Sequence, residues 1–370
     1  MDTPERPHPT MRVIAAGAPD TPPAAARRPF IVPLFLPQAG CPFQCAFCNQ
    51  RHITGKPQGI PASDALRRQI EQFLSYRDER RGETQIAFYG GNFLGLGQAL
   101  VEKLLALAEG YVSAGQAAGI RFSTRPDSVH PRQLQWVAPY TIAAIELGVQ
   151  SMNDRVLTLA RRGHTASDSA MAMARLKEAG YRIGAQLMVG LPGDDDALSL
   201  ASGEAIARLA PDFVRIYPTL VLRGSRLAVA YRRGRYAPWP LERCVATVKH
   251  LYYLFQARGI PVIRMGLQAS ADLEDGQAVL AGPYHPAFGH LVLSEVFLDR
   301  ASTSLSQAPA AGEAVRLRVH PRSVACLRGH KNRNLEALRR RFGLRDIQVL
   351  ADERLGLAEL TVEPLATRAL

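Results

Sequence analysis

Short apolar runs recur along this chain, spaced so that one helix fits between each pair, and a polar or glycine-rich loop follows nearly every run. The runs are Phe30 to Leu36 (FIVPLFL), Gln85 to Tyr89, Ile120 to Ser123, Ile142 to Leu147, Ile183 to Met188, Phe213 to Tyr217 and Val262 to Met265. Between them lie stretches with helical spacing. Asp64 to Asp78 follows an N-cap at Ser63 and sets Leu66, Ile70, Phe73 and Leu74 on one face. Gln98 to Ala118, Pro131 to Trp136, a stretch ending at Ala179, another ending at Leu209, and Leu241 to Ala257 read the same way. Continuous apolar runs suit strands covered on both faces. Strands alternating with helices require parallel pairing through right-handed crossovers. Six or so such units predict an α/β chain, a partial (β/α)6-type TIM barrel of parallel strands rather than a small doubly wound sheet. In that architecture the loops after the strands share one rim, where chemistry is expected.

The rhythm stops after Ala269. Ala281 to Phe297 reads as irregular and then apolar, and Gln307 to Gly312 as a linker. Ala314 to Val319 alternates Val315, Leu317 and Val319 with Arg316 and Arg318, the signature of a half-buried strand. A helix from Arg322 to Leu327, the turn Gly329-His330-Lys331-Asn332 and a helix from Asn334 to Phe342 stopped by Gly343 follow. Short strands near Ile347 to Leu350 and Leu360 to Val362 close a small C-terminal α/β appendix. The expected organisation is a disordered Pro/Ala-rich leader over 1–29, a barrel over 30–268 and the appendix over 269–370. No run of about eighteen apolar residues predicts a membrane span. The N-terminus lacks a basic-then-apolar signal, so a cytoplasmic location is expected. Net charge is +12, with arginine supplying nearly all of the positive side, which leans toward anionic partners such as RNA, phosphate or carboxylates.

Five cysteines in 370 residues do not make a disulfide scaffold. Cys244 and Cys326 sit in apolar helical patterns and read as core. The other three fall in PQAGCPFQCAFCN, where Cys41, Cys45 and Cys48 have C-x3-C-x2-C spacing and Phe47 precedes the third. Clustered thiols of this kind point to metal or redox chemistry. A structural zinc with His52 as fourth ligand is one reading. A [4Fe–4S] cluster held by three soft thiolates, with one iron left open, is the better match to a loop that follows a buried strand.

The pattern of Cys41, Cys45, Phe47 and Cys48 resembles the signature of the radical S-adenosylmethionine (SAM) superfamily. From about Leu34 to Gln268 the chain further resembles the Elongator catalytic-subunit group, through FYGGNF, STRPDSV, ELGVQS, RRGHT, MVGLPGD and RIYPTLVLRGSRL, in that order. The oxygen-independent coproporphyrinogen oxidases are further off. The resemblance implies an enzyme whose cofactors are a [4Fe–4S] cluster on Cys41, Cys45 and Cys48 and S-adenosyl-L-methionine on the open iron. It also implies an electron donor such as flavodoxin or ferredoxin, and hydrogen abstraction by a 5′-deoxyadenosyl radical from an unassigned substrate, with RNA a candidate. A porphyrinogen-type small-molecule oxidase and a non-catalytic iron–sulfur RNA-binding protein are the alternatives.

The cofactor contacts implied are Gly90 and Gly91 at the methionyl amine, and Arg125 and Arg162 at its carboxylate. Gln150 would face a ribose hydroxyl, and the turn Gly190, Leu191, Pro192 and Gly193 the adenine side. Tyr217 and Arg223, on the last barrel loop, are candidates for substrate or cofactor contact, whereas His164, His285 and His290 read as structural. The chain departs from the Elongator pattern at Ser123 (usually Glu) and Arg215 (usually Lys). The residues after Ala269 are too few for that group's acetyltransferase domain, so acetyl-CoA chemistry is not expected. The appendix order resembles a KH-type RNA-binding core, with Asn332 replacing the second glycine of G-x-x-G and Arg328, Lys331, Arg333 and Arg339 to Arg341 nearby. A packing domain with a solvated basic helix is the plainer reading.

Overall fold

The structure, a computed structural model, describes residues 29–49, 59–77, 82–268, 273, 278–307 and 314–365. In chain order the first part runs β1 (Phe30–Phe35), α1 (Ser63–Leu74), β2 (Thr84–Tyr89), α2 (Gln98–Ser113), β3 (Gly119–Thr124), α3 (Pro131–Val137) and β4 (Ile142–Gln150). It continues through α4 (Asp154–Leu159), α5 (Ala166–Glu178), β5 (Ile183–Val189), α6 (Asp196–Arg208), β6 (Phe213–Pro218), β7 (Val221–Leu222), α7 (Arg226–Arg232), α8 (Leu241–Ala257), β8 (Val262–Met265) and β9 (Val279–Ala281). Seven of these strands form one sheet in the order β1-β2-β3-β4-β5-β6-β8, and every neighbouring pair is parallel. Sequential parallel order follows from the right-handed βα crossovers. The sheet curls into a partial TIM barrel with the helices outside it.

Along β1, Phe30, Val32 and Leu34 are buried while Ile31, Pro33 and Phe35 stay partly open. The same alternation leaves Gln186 and Met188 on β5, and Arg215 and Tyr217 on β6, half-open. One strand face is therefore sealed by helices and the other lines the barrel interior. The interior is more polar than the continuous apolar runs imply. At its foot the Phe213 ring fills the space beside Gly184, where an added Cβ would stand 2.2 Å from the ring.

The structure corrects several expectations at this level. Ser63 is the first residue of α1 rather than its cap, which is Ala62. α2 ends at Ser113, five residues before Ala118. β4 runs on to Gln150 through a register shift between Leu147 and Gln150. The helical stretch after it is two helices, the second opened by a Thr165–Asp168 capping box. The first compact unit runs to Pro286. The reason is that β9 pairs antiparallel with β7, and Leu273 and Ala278 pack with Leu220 and Leu222. The leader (1–28) and most of the linker after Gln307 lie outside the described residues.

The apolar part of Ala281 to Phe297 opens a continuous helix α9 (Phe288–Gln307) in the second unit. Its stripe of Phe288, Val292, Val296, Phe297, Ala301 and Leu305 is masked in the sequence by Ser294, Ser302 and Ser304, which are themselves buried. Then follow β10 (Ala314–Val319), α10 (Val324–Arg328), α11 (Arg333–Phe342), β11 (Asp346–Ala351) and β12 (Leu360–Pro364). β10 is central, parallel to β11 and antiparallel to β12. Val315, Leu317, Val319, Leu327, Leu335 and Leu338 form the core, with Cys326 among them. α11 stops at Gly343 in left-handed conformation, as read from the sequence.

The contact beneath the barrel yields a stability test. Gly184→Ala is expected to destabilise the chain by about 1–3 kcal/mol, because the new methyl collides with the Phe213 ring. Gly184→Ala with Phe213→Leu should recover part of that loss in urea unfolding. A double variant as unstable as the sum of the two single changes would show that this collision is not the cause.

Candidate active site

The cysteine loop is set by backbone fit at the strand ends. Leu36 N–H donates to Tyr89 O at 2.7 Å and Gln38 N–H to Gly90 O at 2.9 Å, so the chain leaving β1 lies across the end of β2. A Cβ on Gly91 would stand 2.5 Å from Ala39 O, and one on Gly40 2.3 Å from Asn92 O. Neither position tolerates a side chain, and Gly40 also needs its φ of +70°. Asn92, almost fully buried, locks this corner. Its Nδ2 donates to Gly40 O (2.9 Å) and Ser128 Oγ (2.7 Å), and its Oδ1 accepts from Thr124 Oγ1 (2.7 Å) and Arg125 N–H (3.0 Å).

The far side of the loop is clamped as well. Ala46 N–H donates to Ala160 O (2.9 Å), Leu227 N–H to Ala46 O (2.7 Å), and Asn49 Nδ2 to Arg223 O (2.7 Å). Phe47 packs on Val156, Ala160 and Leu191 on one side and on Val221, Leu227 and Ala228 on the other. The aromatic residue of the signature therefore ties the loop to the loops after β4, β5 and β6. Within it Cys41 is exposed, Cys45 buried and Cys48 half-buried, and none of the three is in a disulfide.

Two buried guanidiniums face Cys45. Arg162 Nη1 is 3.1 Å from Cys45 Sγ, and its Nη2 donates to Gly148 O. Arg125 Nη1 is 3.9 Å from the same sulfur. Arg125 does not present an open fork: its Nε and Nη2 each bond Asp127 at 2.9 Å, its Nη2 also donates to Arg162 O, and the group lies 5.2 Å from the centre of the Phe43 ring. Beside them Gln150 is buried with φ +70°, and its Oε1 has no partner. A Cβ on Gly148 would come within 3.1 Å of Gln150 Nε2 and 3.3 Å of Arg162 Nη2. His164 is buried, with Nε2 3.3 Å from Val149 O and no partner for Nδ1. Burial, then Arg162 and Arg125, push its pKa down to about 4.

The turn after β5 is built on Gly190 and Gly193, both at φ +77°. Gly190 N–H donates to Asp194 Oδ2 (2.9 Å) and Gly190 O accepts from Tyr236 Oη (2.6 Å), with the Trp239 ring against the glycine. Leu191 is buried and Pro192 half-buried. Tyr217 lies in the barrel interior beside Arg215. Arg223 meets the cysteine loop through its backbone carbonyl. His290 belongs to the other unit, 3.4 Å from Cys326 Sγ, and Cys244 is fully buried in α8. His52 lies outside the described residues.

The sequence reading missed the hub at Asn92, the Tyr236–Trp239 support of the glycine turn, and a charged belt inside the barrel. The belt centres on Glu146, which has no solvent exposure. It accepts from Tyr89 Oη (3.0 Å), Arg121 Nη1 (3.1 Å), Gln186 Nε2 (3.1 Å) and Arg215 Nη2 (3.0 Å). The signal was present: Arg121, Glu146, Gln186, Arg215 and Arg264 each interrupt an apolar strand, which is costly unless they meet one another.

The donor set suits an iron–sulfur cluster. Three thiols share one loop, two guanidiniums face Cys45, and orphaned polar atoms at Gln150 and His164 border glycine edges. Among the described residues no three His, Cys, Asp or Glu side chains gather around a point for a single ion.

Comparisons with known proteins agree. Residues 35–198 match the radical SAM superfamily, and residues 211–297 match the radical SAM C-terminal domain. A tRNA uridine(34) acetyltransferase of Dehalococcoides mccartyi is 31% identical over 172 residues, 44% of this chain and 38% of that protein. An uncharacterized protein of Methanocaldococcus jannaschii is 27% identical over 209 residues, 55% of this chain and 60% of its own length. The chain thus spans less than two thirds of these curated relatives. The solved structure of Elp3 from Methanocaldococcus infernus superposes with a TM-score of 0.57 at 19% identity, covering 74% of this chain and 64% of that one.

Asp194 provides a pH test of the glycine turn. Burial raises its pKa to about 6, against the bonds from Ser199 and the Gly190 N–H. The folded state therefore holds this proton to higher pH than the unfolded state does. The contribution of Asp194 to stability falls as pH rises from about 4 to about 6 and is flat above. Asp194→Asn should remove that slope from the urea midpoint measured between pH 4 and 7. A slope identical to that of the unaltered chain would rule this assignment out.

Proposed function

The chain belongs to the radical SAM superfamily, its cofactors are a [4Fe–4S] cluster and S-adenosylmethionine, and from that premise we propose how its own residues divide the work. It is an enzyme of this class, with Elongator-like relatives. The observation that carries the assignment is the meeting of Cys45 with Arg162 and Arg125 on the rim that also holds Gly90, Gly91 and Gln150.

Cys41, Cys45 and Cys48 hold the cluster. Arg162 and Arg125 offset the negative charge of the thiolates; since Asp127 occupies the fork of Arg125, Arg162 is the better candidate to face the methionyl carboxylate. Gly90 and Gly91 let the backbone approach the methionyl amine, Gln150 faces the ribose, and Gly190, Leu191 and Pro192 border the adenine. Phe47 keeps the loop seated and excludes water behind it. When bound, the cofactors supply a 5′-deoxyadenosyl radical that takes hydrogen from substrate, with the electron delivered by a carrier such as flavodoxin or ferredoxin. Tyr217 lies on the substrate side, in the barrel interior.

An RNA substrate is supported by the names of the relatives and by the net charge of +12. The turn Gly329 to Asn332 adds little to that support. Lys331 and Asn332 are left-handed and exposed there, but Arg328 donates to Asn332 Oδ1 at 3.3 Å and Arg333 pairs with Glu295. Those two cations are engaged within the second unit, which favours a packing role for it. Among the described residues no helix is long and apolar enough to cross a membrane.

Anaerobic reconstitution tests the assignment. About four iron and four sulfide per chain are expected, with 5′-deoxyadenosine released from S-adenosylmethionine on reduction. Cys45→Ala should abolish cluster and cleavage together. Zinc in place of iron with no cleavage, or cleavage retained in Cys45→Ala, would overturn it.

A further inference from the structure

The charged belt inside the barrel carries more positive charge than its own carboxylate balances. Tyr89, Ser123, Glu146, Gln186, Arg215 and Arg264 occupy one level of the strands, beneath Gly91, Arg125 and Gln150. Ser123 pairs with Glu146, Gln186 with Arg215 and Arg215 with Arg264, while Glu146, opposite Gly184, meets Gln186 through its side chain. Arg121 reaches the same carboxylate from one level lower and lies 5.6 Å from the centre of the Phe213 ring that closes the foot of the barrel.

Glu146 is saturated. Its Oε1 accepts from Tyr89, Arg121 and Arg215, and its Oε2 from Gln186, with Arg215 Nε a further 2.7 Å contact. That Nε–H does not aim at the oxygen and is left without a hydrogen-bond partner. One carboxylate therefore faces two guanidiniums. Arg264 adds a third across the β6–β8 pair. Its Nε donates to the backbone carbonyl of Gly266 at 3.2 Å, and among the described residues no carboxylate pairs with it. Tyr217 stands two residues beyond Arg215 on the same face of β6. Arg215, Tyr217 and Arg264 are half-open toward the interior, whereas Arg121 and Glu146 are buried. Among the described residues, the charge left without a carboxylate thus sits on the partly exposed side. In a low-dielectric interior such an excess attracts an anion strongly, and guanidinium with phenol is a donor set for carboxylate or phosphate.

We propose that Arg215, Tyr217 and Arg264 form an oxyanion-binding floor inside the barrel, and that the substrate carries a carboxylate or phosphate that seats there. The inference rests on the radical SAM reading for its view that substrate enters from the rim. It makes the floor a specificity device: an anionic group held there would fix which substrate carbon lies nearest the rim.

The test uses inorganic phosphate and malonate as probes, titrated by calorimetry into the full chain and into the reconstituted holoenzyme. One saturable site is expected, with the stronger probe showing which oxyanion the floor prefers. Arg264→Gln and Tyr217→Phe should each weaken that binding at least tenfold, while Arg339→Gln, on the exposed face of α11, should leave it unchanged. Thermal unfolding checks that Arg264→Gln is folded, and Tyr217→Phe, which keeps its ring, stands in for it otherwise. Absence of binding to both probes, or binding in both floor variants equal to that of the unaltered chain, would overturn the proposal. Formation of 5′-deoxyadenosine by the unaltered holoenzyme is scored separately, so a failure of the radical SAM reading is distinguishable from a failure of the floor.

Discussion

A single carboxylate ties five strands of the barrel together. Glu146 on β4 gathers Tyr89 from β2, Arg121 from β3, Gln186 from β5 and Arg215 from β6. Burying that charge costs several kcal/mol, and the cost is offset only when every lone pair is met in good geometry. Each of the four partners is thus held to one position, and the strand order and curl that bring them together are held with it. The curl in turn carries the strand ends round into an arc rather than a flat edge. Such an arc places Gly91, Arg125, Gln150 and the glycine turn after β5 where they can face one centre.

Above that belt the site depends on close backbone approach more than on side-chain reach. Gly40 and Gly91 have no room for a Cβ, and the Asn92 side chain fastens its loop to the cysteine loop at Gly40 and to the end of β3 at Thr124, Arg125 and Ser128. Phe47 does the matching work on the other side. It inserts one ring between two apolar clusters, so the cysteine loop is wedged between β-strand ends from both halves of the sheet. The two guanidiniums against Cys45 then meet a sulfur whose position is already determined. The interior is layered accordingly: an aromatic foot at Phe213, a charged belt at Glu146, and a rim of glycine and sulfur.

Much of this was legible beforehand, and for identifiable reasons. β8, α8 and β10 begin and end where the sequence places them, because each is bounded by a breaker or a sharp change of period. The cysteines, Gly90, Gly91, Arg125, Gln150 and the GLPG turn all follow strands at one end of the sheet, since parallel order leaves them nowhere else to go. The misreadings are equally physical. α9 hides its stripe behind buried serines, and β9 is a three-residue strand whose partner is far away in sequence. The ion pair of Arg125 with Asp127, two residues on, is local and yet has no periodic signal in the sequence. The belt was visible only as separate polar residues in separate strands.

Local order is what the chain encodes openly. Apolar period, turn residues and thiol spacing specify the alternating elements, the parallel sheet and the cysteine loop, because each of these depends on neighbours within a dozen or so positions. Charge balance in the barrel interior depends on residues from six strands meeting across the lumen. Only the folded structure decides that Glu146 is saturated, that Arg264 is left without a carboxylate among the described residues, and that the interior is therefore suited to an anion. Electrostatics sums over distance in space, and the sequence lists its charges without the distances between them.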